Sequence, residues 1–112
     1  MGKRILILSD RIGRGDDELG RILMKNFLYS LARAEEKPTA VMLMNEGVRL
    51  AVSGSASVDD LTLLVEQGVA VKACGTCLDF LGLATDLAVG EVGTMNGSVD
   101  ALLSSDEIVT IA

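Results

Sequence analysis

Five short apolar runs punctuate this chain, and polar or periodic segments separate them. Arg4-Ile5-Leu6-Ile7-Leu8-Ser9 and Ala40-Val41-Met42-Leu43-Met44 are continuous, and Val69-Ala70-Val71-Lys72-Ala73 is broken only by its lysine. A strand with one solvated face would alternate, so continuous runs of this length predict strands buried on both faces of a parallel sheet. Leu87-Ala88-Val89-Gly90-Glu91-Val92 predicts a weaker fourth strand, and Ile108-Val109-Thr110-Ile111 a last one.

Between the runs the period lengthens. Gly13-Arg14-Gly15 turns into Asp16-Asp17-Glu18, three acids at the start of a helix whose apolar positions Leu19, Leu23, Phe27 and Leu31 recur every four residues. Met24, Leu28 and Ala32 widen that stripe. Pro38, the only proline, separates it from the second strand, which Asn45-Glu46-Gly47-Val48 ends. Ser53 to Ser57 reads as a surface loop, with Ser57 and Asp60 as a capping pair for a helix through Leu61, Leu64 and Val65 that Gly68 closes. A further helix is expected near Val99 to Leu103, with Asn96 or Ser98 as its cap. Strands alternating with helices at this spacing predict an α/β fold, a Rossmann-like three-layer sandwich with a mainly parallel, roughly five-stranded sheet covered on both faces.

In such sheets functional groups gather outside the carboxyl ends of the strands. Four loops meet that description: Ser9 to Gly15, Asn45 to Val48, Cys74 to Cys77, and Gly93 to Asn96. The third holds both cysteines of the chain, placed where the Val69–Ala73 strand gives way to a helix through Leu78-Asp79-Phe80-Leu81. A sulfur at a helix start lies beside unpaired amides and the positive end of the helix dipole, which favour thiolate and make it reactive. Residues i and i+3 share a helix face, so the two sulfurs can meet each other or one substrate. Cys74 and Cys77 are therefore the candidate catalytic residues, reachable on an exposed loop, with the amides of Gly75 and Thr76 as stabilisers of a sulfur anion. The contrary reading, two small hydrophobes packed in a core, leaves the glycine-threonine turn between them without a purpose.

Gly13-Arg14-Gly15 lacks the third glycine of a dinucleotide fingerprint, since Glu18 stands there, and the acids at that helix start would repel a pyrophosphate. Arg11 and Arg14 remain as sources of positive potential. Gly47 is expected to permit a positive φ just beyond a strand. Gly13, Arg14, Gly15, Asn45, Glu46, Gly47, Thr94, Met95 and Asn96 are the expected substrate-binding wall.

Composition narrows the chemistry. The 112 residues form one domain, residues 1–112, with room for a single core. The net charge of −6 and the three aromatics exclude a nucleic-acid partner, which would require basic patches or stacking platforms. Histidine is absent, which removes Ser-His-Asp and Cys-His mechanisms, and two thiols alone do not complete a structural zinc site. No metal and no cofactor is expected. No apolar run is long enough for a bilayer span or a signal peptide, so no membrane partner and a cytoplasmic location are expected. The apolar share of 49 % is high and is expected to cover subunit interfaces.

With these loops placed, the chain resembles the DsrE/DsrF/TusD-like family over essentially its whole length. The likeness rests on Ile5-Leu6-Ile7-Leu8-Ser9, Gly13 to Gly20, Asn45-Glu46-Gly47-Val48, Cys74-Gly75-Thr76-Cys77-Leu78-Asp79 and Gly90-Glu91-Val92. It is nearest to the DsrE-like C-terminal domain of the YedF type, the sulfurtransferase-like branch of selenium metabolism. The resemblance implies a Rossmann-like domain that assembles into dimers, trimers or hexamers, with a persulfide carried on Cys74 and Cys77 as the additional thiol. It also implies sulfur donor and acceptor proteins as partners, a TusA-like protein among them. Two departures from the branch pattern stand out: no TusA-like segment precedes the first strand, and Gly93-Thr94-Met95-Asn96 replaces a Thr-Asn-Met-Tyr type segment.

Three functions follow from these features. The first is a sulfur relay on Cys74, and the second is thiol-disulfide redox between Cys74 and Cys77. The third is a non-catalytic regulatory or scaffold subunit of a sulfur-transfer complex.

Overall fold

The computed structural model describes residues 2–112. Five strands, β1 (Lys3–Ile7), β2 (Ala40–Leu43), β3 (Ala70–Cys74), β4 (Glu91–Gly93) and β5 (Glu107–Ile111), form one sheet of order β4-β3-β2-β1-β5, with every pairing parallel. Four α-helices connect them: α1 (Asp17–Arg33), α2 (Val58–Glu66), α3 (Gly75–Phe80) and α4 (Met95–Leu102). A 3-10 helix, Asn45–Ala51, follows β2. The register sets Val109, Ile5, Val41 and Val71 in one row across the sheet, and Ile111, Ile7, Leu43 and Ala73 in the next. Both rows join the core that contains Met24, Leu28 and Ala32 of α1 and Leu61 and Leu64 of α2.

The two faces are unequal, in contrast to the even cover expected from continuous apolar runs. The opposite parity presents Arg4, Ala40, Met42, Ala70 and Lys72 to a hollow of about 280 Å³ under α4, a helix with no buried residue. Arg4 reaches Asp106 at 3.4 Å and Lys72 reaches Glu91 at 2.5 Å, so charged ends are carried to water from an otherwise apolar face.

Helix α1 buries Gly20, Met24, Leu28 and Ala32, while Leu19 is 54 % and Leu23 41 % exposed. Of the expected stripe, Met24, Leu28 and Ala32 form the buried centre and Phe27 and Leu31 pack against the core, while Leu19 and Leu23 fall outside it. Adjacent apolar stripes are equivalent to an amphipathicity argument, and the choice falls to Gly20, where a Cβ would stand 2.9 Å from Arg11 Cβ and 3.1 Å from the Ile12 carbonyl. The Asp16 carboxylate caps the helix by accepting from the Leu19 amide at 2.9 Å.

Other local expectations are also corrected. The run Leu87 to Val92 is not one strand: Gly90 takes φ +80° with a Cβ position 2.6 Å from the Val71 carbonyl, Leu87 pairs antiparallel with Val52, and only Glu91–Gly93 joins the sheet. Helix α4 begins at Met95 because Thr94, rather than Asn96 or Ser98, accepts from the Gly97 amide at 3.0 Å. Ser57 precedes α2 without a side-chain capping bond. Asp60, expected as its capping partner, is instead 2 % exposed and held by Lys25 at 2.5 Å and Arg33 at 3.0 Å, with the Arg33 guanidinium 3.6 Å from the Tyr29 ring centroid.

Burial pushes the Asp60 carboxyl up, and the bonds from Lys25 and Arg33 more than reverse this, leaving it below its ordinary value. A folded-state value lower than the unfolded one gives stability that is complete above the ordinary carboxyl range and lost as pH falls through the folded value. Asp60→Asn is expected to cost about 1–3 kcal/mol at pH 7, because both cations keep access to water when their partner is lost. Urea unfolding at pH 7 and near pH 3 checks this: the deficit of the variant shrinks in acid.

Candidate functional site

Strand β3 delivers Cys74 to the carboxyl edge of the sheet, where its extended backbone makes it the N-cap residue of α3. Cys77 lies one turn on. Both are free thiols. Cys74 is only 8 % exposed, and Cys77 is half-buried. The expected exposed loop around Cys74 is therefore corrected: the sulfur does stand at a helix start, but the end of a core strand carries it inward, and Cys77 is the more open thiol.

The 3-10 helix after β2 folds against this pair. Gly47 makes that possible, since a Cβ there would lie 2.5 Å from the Ile7 carbonyl oxygen and 3.4 Å from the Ser9 nitrogen. Its φ is not positive. The left-handed residue of this turn is Asn45 instead of the expected Gly47, at φ 51°, a conformation asparagine tolerates better than most side chains. The result is an Asn45 amide that donates to Cys77 Sγ at 3.1 Å. Burial pushes the Cys77 thiol up, the Cys74 side chain and its charge add to that, and the Asn45 amide opposes them. The balance leaves Cys77 above the ordinary thiol value.

The other expected wall residues divide. Gly75 lies against β4, its Cβ position 3.0 Å from Val92 Cγ1 and 3.5 Å from the Gly93 carbonyl, which also brings the Thr94 turn to this corner. Thr76 is exposed, and Gly75 and Thr76 contribute the first two amides of α3. Met95 and Asn96 are exposed on the first turn of α4. Glu46 is engaged in ion pairs with Arg49 at 2.9 Å and Arg11 at 3.6 Å. Gly13, Arg14 and Gly15 are exposed and lie at β5, where the Gly13 amide donates to the Ala112 carbonyl at 3.1 Å. Since β2 and β1 intervene between β3 and β5, that turn stands apart from the cysteines. Arg11 is occupied by Asp10 and Asp17 as well as Glu46.

Sequence reasoning missed Phe80, 88 % exposed at the end of the helix that begins beside Cys74. Its spacing of three from Cys77 was the available signal, since that spacing shares a helix face. Among the described residues no group of three or more His, Cys, Asp or Glu is placed to hold a metal ion, and no helix is long and apolar enough to cross a membrane.

A family model described as the DsrE/DsrF-like family matches residues 19–111. The fold is similar to that of the ychN protein from E. coli, with 25 % identity and a TM-score of 0.71 over 97 % of this chain and 99 % of the other. It is also similar to MTH1491 from Methanobacterium thermoautotrophicum, a protein of unknown function, with 22 % identity and a TM-score of 0.68 over 98 % and 99 % of the two chains. None of the curated proteins matches the sequence.

Two outcomes test the geometry of the pair. Cys74→Ala removes the neighbour that helps hold the Cys77 proton, so the pH midpoint for iodoacetamide alkylation of Cys77 is expected to move down. Asn45→Ala is expected to cost about 1–2 kcal/mol through the left-handed backbone, whereas Asn45→Gly is tolerated, as read by urea unfolding.

Proposed function

The chain belongs to the DsrE/DsrF-like family, and on that premise we propose that it is a small sulfur-relay protein that carries a persulfide on Cys74. The observation that carries the reading is the placing of the thiol pair: Cys74 ends β3 as the N-cap residue of α3, and Cys77 lies one turn on with the Asn45 amide donating to its sulfur. In the loading step the Cys74 thiolate attacks the outer sulfur of a donor hydropersulfide. The donor S–S bond breaks, its inner sulfur leaves with the electron pair as a thiolate, and a new S–S bond carries the transferred S–H on Cys74. An acceptor thiolate reverses the sequence, so sulfur moves with no net oxidation. The amides of Gly75 and Thr76 are suited to stabilise the terminal sulfur, and the partner approaches past Thr76 and the half-buried Cys77.

Phe80 and Leu103, 88 % and 81 % exposed, suit docking of donor and acceptor proteins, a TusA-like protein among them, or further copies of this chain in a dimer, trimer or hexamer. The Cys-Gly-Thr-Cys segment supports placing the chain near the YedF branch, in sulfur or selenium metabolism, and reduced thiols suit a cytoplasmic setting. The same pair supports the second reading, thiol-disulfide redox, since two free thiols share one turn of helix.

Mass spectrometry after incubation with a persulfide donor separates these. The wild type and Cys77→Ser are expected to gain one sulfur atom on Cys74, and Cys74→Ser to gain none. An unmodified Cys74 beside an active donor would overturn the relay. Dithiol oxidoreductase activity lost in Cys77→Ser, with no persulfide in the wild type, would establish the redox reading.

A further inference from the structure

A second hollow, of about 190 Å³, opens between α1, the 3-10 helix and the start of α2, and its lining includes neither cysteine. Three cations line it: Arg21, Lys25 and Arg49. The carboxylate among its lining residues, Asp10, is paired with Arg11 at 3.1 Å. Lys25 is committed to Asp60 at 2.5 Å, and Arg49 uses its Nε on Glu46 at 2.9 Å, which leaves its two terminal nitrogens free of that bond. Arg21 forms no ion pair among the described residues. In a chain of net charge −6, this concentration of positive groups in a concavity requires a reason.

Ser57 points to one. It lines the hollow, is 3 % exposed, and stands at the N-cap of the nine-residue helix α2, yet its Oγ makes no capping bond and no other hydrogen bond among the described residues. A serine hydroxyl at this position ordinarily turns back to accept from a first-turn amide. Among the described residues no buried side-chain nitrogen or oxygen lacks a partner, so this unbonded hydroxyl keeps contact with the hollow, where a group from outside can meet it. Its amide is already turned onto Ser55 Oγ at 3.1 Å, so the loop is ordered around the hydroxyl. The amides of Asp59 and Asp60, next along the helix, find no acceptor either, and the positive end of the α2 dipole points the same way.

We propose that this hollow binds a small tetrahedral oxyanion of the phosphate or sulfate class. The Arg21 guanidinium and the free end of Arg49 donate to it, and Ser57 Oγ supplies a neutral donor on the helix side. At about 30 Å³ per water the space equals roughly six waters, enough for one such anion with part of its hydration and too little for an extended ligand to be engulfed. The proposal does not depend on the chemistry of the thiol pair, and wild type and Cys74→Ser are expected to bind alike.

The test is an NMR amide titration of the full chain with sodium phosphate at constant ionic strength, with sodium chloride as the control. Saturable shifts centred on Arg21, Arg49 and residues 55–60 are expected with phosphate and not with chloride. Arg21→Gln, a surface change that leaves the fold intact, is expected to weaken binding about tenfold, and Ser57→Ala about fivefold. Sulfate and adenosine monophosphate form two further arms. Equal binding of phosphate and sulfate assigns the hollow to free oxyanions, and tighter binding of the nucleotide assigns it to the phosphoryl group of an ester. Shifts that fail to saturate, that chloride reproduces, or that Arg21→Gln leaves unchanged would overturn the proposal.

Discussion

The contact between Gly47 and the Ile7 carbonyl governs the functional end of this molecule. With a Cβ position 2.5 Å from that oxygen, any side chain at residue 47 would push the 3-10 helix off the end of β1. Because glycine stands there, the segment after β2 lies flat across the carboxyl edge of the sheet. Asn45 then turns through φ 51°, and its amide meets Cys77 Sγ. The same placement carries Glu46 toward Arg11 and Arg49, so one close backbone approach organises both a sulfur contact and a charge cluster. A core glycine thus shapes the surroundings of Cys77 without touching either sulfur.

The pair of thiols is asymmetric for reasons that lie in different elements. Cys74 belongs to β3 and shares the burial of a strand end, whereas Cys77 belongs to α3 and keeps contact with water. Burial and the neighbouring sulfur keep the proton on Cys77 against the pull of the Asn45 amide. Tertiary packing therefore gives the two sulfurs different surroundings, in a chain without histidine.

The sheet divides its faces by the same economy of side chains. Ile5, Ile7, Val41, Leu43, Val71 and Ala73 point to α1 and α2 and form the core, while Arg4 and Lys72 on the reverse parity keep their charges in ion pairs near α4. Asp60 is the counterpart on the helical side, a buried carboxylate whose cations come from α1 and so pin α1 to α2. Buried charge stands where two helices meet, and open surface surrounds the single helix of the other face.

From the chain alone, the order of strands and helices, the parallel sheet, the turn at Gly68 and the placing of Cys74 at the junction of β3 and α3 could all be read. Each is governed by local periodicity or by a single residue's backbone preference, which act over one or two turns. The structure decided which of two apolar stripes α1 buries, how much of the Leu87–Val92 run joins the sheet, that Asp60 is an ion-pair centre, and that Gly13 to Gly15 stands beside β5 instead of the thiols. It also decided that Cys74 is buried and Cys77 half-buried. Those outcomes depend on close approaches between segments distant in sequence, such as Gly47 on Ile7 and Gly90 on Val71. Periodicity and composition do not encode such distances, because they are set only when the layers pack.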